Sequence, residues 1–177
     1  CELSSAEQIA ALLRRQLHAG FINAAAVPPR LACRPLAPDH FLCCLPDGHA
    51  LAQESSVALG MLAEESFVMF ARDVAPANHD NVIALLQRAG IHPRTRHAAR
   101  QWLTVVSLVA LGMGVALVPA SLAQAGVQGV RFVPIAGLHH PTVGVLAWPK
   151  DADTPALRVF LECAADLAAP SFLQSGA

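Results

Sequence analysis

Charge is scarce in this sequence. Only 14 % of its 177 residues are Asp, Glu, Lys or Arg, and Lys150 is the single lysine. The net charge is −1. No lysine cluster can track a phosphate backbone, so a general attraction to nucleic acid or to an anionic membrane surface is excluded. No charge at all occurs between Arg100 and Arg131. The apolar run in that window, residues 105–118, is still short of the roughly 20 residues a membrane helix needs. It is interrupted by Ser107, Gly112 and Gly114 and closed by Pro119.

Signatures of catalysis and metal binding are missing as well. There is no Cys-x-x-Cys, no His-x-x-x-His, no phosphate-binding loop, no Gly-x-Ser-x-Gly turn and no spaced pair of carboxylates. His139 and His140 are adjacent beside Pro141, and neighbouring residues rarely aim at one ion. No metal, no cofactor and no enzymatic activity are expected. The five cysteines, Cys1, Cys33, Cys43, Cys44 and Cys163, are odd in number and lack framework spacing. They read as buried free thiols in a reducing compartment, not as a secreted disulfide scaffold. Cys43 and Cys44 fall in a strand, where successive side chains point to opposite faces. The opening "CELSSAEQIAALLRRQ" is charged at once and has no apolar core, so no signal peptide is expected in it. Repeats and low-complexity segments are absent.

What is present is apolar. Hydrophobic residues make up 54 % of the chain and the mean hydropathy is +0.45, enough for one ordinary domain or two small lobes. Helical spacing marks residues 5–17, with Ile9, Leu12, Leu13 and Leu17 on one face. Ser4 with Glu7, and Ser5 with Gln8, each fit a capping box. A second helix is expected over about 77–89, with Val82, Leu85, Leu86 and Ala89 inward and Gly90 as its stop. Thr154-Pro155 opens a last helix, with Leu157, Phe160, Leu161 and Ala164 inward. Strands are expected at 19–25, 40–46, 66–71, 94–99, 129–135 and 142–148, with helical turns at 59–64 and 120–125 and a short extended piece in the proline-rich 24–38. Alternating helices and strands predict a mostly parallel α/β sheet with helices on both faces.

The charge-free stretch "VSLVALGMGVALVP" (106–119) decides between classes. Val105, Leu108, Val109 and Gly112 follow helical spacing; Gly112 offers a left-handed helix stop; "GVALVP" then reads as a buried strand. The order is helix, glycine turn, strand. A dinucleotide fingerprint needs strand, glycine turn, helix and a third glycine, so "GMG" is not one.

Polar groups gather instead at helix starts: Ser4 and Ser5 at the first, Asn78 just past Pro76 at the second, Thr104 near the third. Each can be a simple N-cap. Helix starts also carry unpaired N–H groups and partial positive charge, and in open α/β sheets they gather over the carboxyl ends of strands. Together they suit a small anion or carboxylate.

Five segments carry a resemblance in the order of the chain: "ELSSAEQIAALLRRQLHAGFI", "LACRPLAPDHFLCCLPDGHALA", "FARDVAPANHDNVIALLQRAGIHPR", "AARQWLTVVSLVALGMGVALVPASL" and "VGVLAWPKDADTPALRVFL". The chain resembles the effector-binding domain of LysR-type transcriptional regulators. That resemblance implies two α/β lobes, like type 2 periplasmic binding proteins, with a small-molecule effector between them. Lobe I would hold 1–38 and 140–170, lobe II 39–139, and 171–177 a tail. By position, the resemblance nominates Ser5 as a helix-capping, carboxylate-binding residue with Ser4 beside it. It also nominates Asn23 after the "GFI" strand, Asp39 at the lobe crossing, Pro76, Ala77 and Asn78 at a helix start, and Thr104. Departures are His40 where proline is usual, Ala50 after His49, and His18 in place of an aspartate. The family's DNA-binding winged helix-turn-helix, and the first strand and helix of its effector domain, lie ahead of the matched region. The resemblance implies a cytoplasmic regulator that forms dimers or tetramers and touches DNA only through that N-terminal module. Rival readings are a stand-alone solute-binding protein of the same fold and, less favoured, an enzyme built on it.

Overall fold

A computed structural model describes residues 3–23, 27–74, 76–137 and 144–164. The side chains of Asn23 and Ala77, the His139-His140 pair and the 171–177 tail lie outside the described residues. The chain divides into two compact units, one of residues 1–38 and 142–177, the other of residues 39–141.

In unit 1, helix α1 (Ser5–Leu13) leads to strand β1 (Gly20–Asn23) and then β2 (Leu31–Pro35). The chain returns as β8 (Gly144–Pro149) and helix α4 (Pro155–Cys163). The strands lie in the order β1-β8-β2, both ladders antiparallel. Leu12 of α1 packs with Ile22, Leu31, Val145 and Ala147 on one face. α4 holds the other, tied by Arg34 Nη1 donating to the Leu161 carbonyl at 2.7 Å. Thr154 caps α4 by accepting from Leu157 N–H at 3.2 Å, with Pro155 in the first turn. α1 ends four residues before the expected Leu17. Arg15 turns left-handed (φ 58°), and the N–H groups of Arg15 and Gln16 bond back to Leu12 and Ala11. That closure normally uses glycine, so no stop was visible in "LLRRQ".

Unit 2 comprises β3 (Phe41–Pro46), a 3-10 turn (Leu59–Leu62), β4 (Ser66–Phe70), α2 (Pro76–Arg88), β5 (Arg94–Ala99), α3 (Trp102–Ala110), β6 (Ala116–Pro119), a second 3-10 turn (Ala120–Ala125) and β7 (Val130–Pro134). β5 pairs with β4, a parallel bridge Phe67↔Val115 joins β4 to the β6 edge, and β3 lies between β6 and β7. Side chains alternate cleanly through this sheet. Cys43, Phe67, Met69, Val115 and Leu117 pack under α2 and the first 3-10 turn. Cys44, Val68, Phe70, Ala116 and Val118 pack under Val105, Val106 and Val109 of α3. Strands buried on both faces are continuously apolar, which explains "FLCCL" and "VALV". Each such fully buried side chain contributes about 1.5–3 kcal/mol of burial. Gly90 and Gly112 (both φ +74°) close α2 and α3 as expected. The residue after each, Ile91 or Met113, donates back to Leu86 or Leu108.

The expected parallel sheet is corrected. Of the five ladders among the described residues, four are antiparallel and only β4–β5 is parallel. β3 and β8 run against their neighbours, and the remaining strands of each unit keep one direction. These are the strands that open a stretch of chain after it changes unit. A strand reached that way needs no helical crossover within its sheet, so nothing holds it parallel. Three smaller expectations are also overturned. Phe160 is 43 % exposed, and the residues buried in α4 and at its C-cap are Leu157 and Ala164. Ala89 is exposed at the end of α2. Cys33 and Cys163 are exposed thiols, while Cys43 and Cys44 are buried.

Candidate functional site

β4, β5 and β6 share a direction, so their carboxyl ends share one edge of the unit 2 sheet. A helix start follows each strand: α2 after β4, α3 after β5, and the 3-10 turn Ala120–Ala125 after β6. β3 enters the same edge from the opposite sense, with Phe41 opposite Pro119, and so carries Asp39 there. Five nominated residues therefore lie at this edge: Asp39, Pro76, Ala77, Asn78 and Thr104.

Their circumstances differ. The Asp39 carboxylate is engaged: Oδ1 accepts from His40 N–H (2.7 Å) and Ala120 N–H (3.1 Å), and Oδ2 from Ser121 N–H (3.4 Å). It caps the third helix start from 81 residues away in sequence. Pro76 opens α2 and is exposed, and Asn78 two residues on is half-buried. Thr104, third in α3, is exposed. Gln101 at the α3 N-cap sends no side-chain bond to that helix's own N–H groups.

Charged groups that sequence reasoning missed stand between these helix starts. The segment 71–74 joins β4 to α2. Its Arg72 grips Asp80 of α2 with two bonds, Nε–Oδ1 at 2.8 Å and Nη2–Oδ2 at 3.0 Å. His79 Nδ1 lies 3.2 Å from the same carboxylate. Those bonds, Arg72's first and His79's second, hold the Asp80 carboxyl down at about 2 and raise the Arg72 guanidinium. Asp73 accepts from Arg100 Nη1 at 2.6 Å, just ahead of α3. Beneath them Trp102 tilts against Phe70, ring centroids 4.6 Å apart. The visible signal was the charge flanking a helix start in "FARDVAPANHD", but it names no pairs.

Unit 1 has its own helix start. Ser4 is the N-cap of α1: its hydroxyl accepts from Glu7 N–H (3.3 Å) while Glu7 Oε2 accepts from Ser4 N–H (2.8 Å). α1 packs along β1 with Gln8 against Gly20, and Asn23 is the last residue of that strand.

The LysR substrate binding domain model matches residues 1–169. The chain is 34 % identical over 163 residues to the HTH-type transcriptional regulator IlvR of Caulobacter vibrioides, covering 90 % of this chain and 54 % of that protein. Two solved structures share the fold. The effector-binding domain of QuiR in complex with shikimate has a TM-score of 0.76 at 21 % identity, over 93 % of this chain and 78 % of that one. The BenM effector-binding domain with benzoate has a TM-score of 0.74 at 20 % identity, over 99 % and 83 %.

The chain belongs to the LysR substrate-binding domain family.

It spans about half the length of the relatives it matches. Its fold class is the α/β, two-lobed, periplasmic-binding-protein-like one of LysR effector-binding domains. In this LysR domain the capping role expected of Ser5 falls to Ser4; Ser5 is the first residue inside the helix, half-buried. Among the described residues no group of three His, Cys, Asp or Glu side chains could hold a metal ion, and no helix is long and apolar enough to cross a membrane. A shallow depression on unit 1, rimmed by Arg15, Arg30 and Asp151 over Leu12, Leu13, Leu31 and Pro149, lies at the far end of α1 from Ser4.

Proposed function

We propose that this LysR domain is the ligand-sensing part of a longer transcriptional regulator, and that its effector is a small carboxylate or aromatic acid. The observation that carries the reading is the shared edge in unit 2. There α2 and α3, packed on opposite faces of the sheet, both start at the same edge, with Asn78, Thr104 and the half-buried Trp102 ring in or beside their first turns. Backbone N–H groups there favour a carboxylate by charge and by hydrogen bonding. An aromatic ring beside them suits an acid with a flat apolar body. Unit 1 offers Ser4, Ser5 and Asn23. QuiR and BenM were crystallised with shikimate and benzoate, which makes such acids the first compounds to try.

On this reading the chain binds and does not turn over its ligand. It acts in the cytoplasm as part of a homo-oligomer, and DNA is contacted by a module outside these residues. The effector works by preferring one arrangement of the domain, and near-complete switching needs a preference of about 5.5 kcal/mol. Thermal-shift screening against metabolite acids tests it. A ligand at 100 times its Kd should stabilise the fold by about 2.7 kcal/mol, and Thr104→Ala or Ser5→Ala should shrink that shift without lowering the unliganded Tm by a similar amount. A screen in which no acid raises Tm, or a purified chain that converts one, ends the proposal.

A further inference from the structure

The two arginines at the unit 2 edge are used differently. Arg72 spends its guanidinium fork on Asp80, two N–H groups to two oxygens. Arg100 gives one N–H, from Nη1, to one oxygen of Asp73. The rest of its fork makes no bond among the described residues. Both Arg100 and Asp73 are open to water, with side chains 70 % and 68 % exposed. An exposed single-contact pair is held weakly, and a free carboxylate that meets the same fork with both oxygens makes the better bond. Position adds to this. Arg100 stands just ahead of the α3 N-cap Gln101, and Asp73 sits on the short segment leading to the α2 start, so the pair links the two chain segments that enter these helices. Trp102, two residues on, is half-buried with its ring against Phe70.

We propose that Arg100 is a specificity-determining residue for an anionic effector, and that Asp73 occupies it in the unliganded domain. Effector carboxylate and Asp73 compete for one guanidinium. This rests on the acid-sensing reading above and extends it by naming the residue that selects the acid and the group it displaces. No covalent chemistry is involved: one ion pair is exchanged for another, and Asp73 is released to water.

Competition and mere structural support predict opposite signs for one variant. Benzoate is the probe, at constant ionic strength, with benzamide as its uncharged counterpart. Binding is followed by Trp102 fluorescence in a Trp148→Phe background, since the chain has two tryptophans. Asp73→Asn should tighten benzoate by about three-fold, the size of an exposed ion pair. Arg100→Gln should weaken it by about ten-fold and abolish the gain from Asp73→Asn in the double variant. Benzamide should be indifferent to both. If Asp73→Asn weakens benzoate as Arg100→Gln does, the pair is structural support and the exchange is refuted. If neither the parent nor Asp73→Asn binds benzoate at millimolar concentration, it is refuted as well. An acid from the thermal screen that binds the parent but ignores both substitutions removes the exchange and leaves acid sensing standing. A screen with no binder removes both.

Discussion

Gly114 is the residue whose replacement should hurt the fold most for its size. It sits at φ +140°, where L side chains rarely go, and a Cβ there would lie 2.3 Å from the Ser66 carbonyl oxygen. The closeness is built in. Val115 N–H donates to that oxygen at 2.8 Å, and Val68 N–H to the Val115 carbonyl at 2.9 Å; these two bonds join β4 to the strand that follows α3. Gly114→Ala must leave the φ it needs, at about 1–3 kcal/mol. It must also push Ser66 away, loosening two buried backbone bonds at about 1 kcal/mol each. The sum is about 3–5 kcal/mol, a large part of the 5–15 kcal/mol that holds a typical domain. Gly112 is the control. Its φ of +74° also favours glycine, but a Cβ there meets nothing within 4 Å, so Gly112→Ala should cost only about 1 kcal/mol. For a chain of this size each kcal/mol moves Tm by about 2–4 °C. Thermal melts should therefore show a loss of roughly 6–20 °C for Gly114→Ala and about 2–4 °C for Gly112→Ala. Equal losses, or a Gly114→Ala melt within about 2 °C of the parent, would refute the close-approach argument.

Asp39→Ala should lower stability by about 1–2 kcal/mol in urea titrations, as loss of a helix cap does, with Asp39→Asn recovering part of it. The Asp80 carboxyl, held at about 2 by Arg72, is depressed below its unfolded value, so the stability it supplies is present above pH about 4. That stability fades as pH falls toward 2. In Arg72→Ala, NMR titration should find the Asp80 midpoint moved up toward ordinary carboxylates, and an unmoved midpoint would show the pair is not formed in solution. Burial pushes the Cys43 and Cys44 thiols up to about 12. Alkylation at pH 8 should thus label Cys33 and Cys163 well before the buried pair, as mapped by mass spectrometry. Equal labelling of all four would contradict the core assignment.

Much of the fold was legible because it rests on local rules. Gly90 and Gly112 announce helix ends, Thr154-Pro155 announces a start, and the unbroken apolar runs around Cys43-Cys44 and Val115–Val118 announce strands covered on both faces. Arg15 was illegible because an arginine took a left-handed position that local rules reserve for glycine. Strand direction was illegible because alternation of elements does not say where the chain changes unit. The site was half legible. Helix starts and their small polar residues could be placed, but Asp39 finding Ala120 and Ser121, and Asp73 finding Arg100, are pairings across 81 and 27 residues that no local pattern encodes.

Asp39 also bears on what the unit 2 edge binds. Three strands end there and three helix starts face outward, and at one of them the ligand is already part of the chain. The Asp39 carboxylate receives the first backbone N–H groups of the Ala120–Ala125 turn. It is a carboxylate bound at a helix start on the edge where an effector carboxylate is proposed to bind, and it shows that backbone N–H groups at this edge can receive a carboxylate. If α2 or α3 takes an external acid in the same manner, removing Asp39 should open a second position. Asp39→Ala should then bind small acids such as acetate weakly at the Ser121 amide, visible as concentration-dependent NMR shifts of that N–H, while the Ala120 N–H keeps its 2.8 Å bond to the His40 carbonyl. The parent should show none. A Ser121 amide of Asp39→Ala that stays still up to high acetate would mean that backbone N–H groups at this edge do not suffice for a carboxylate, and that Arg100 or another charge must supply most of the affinity.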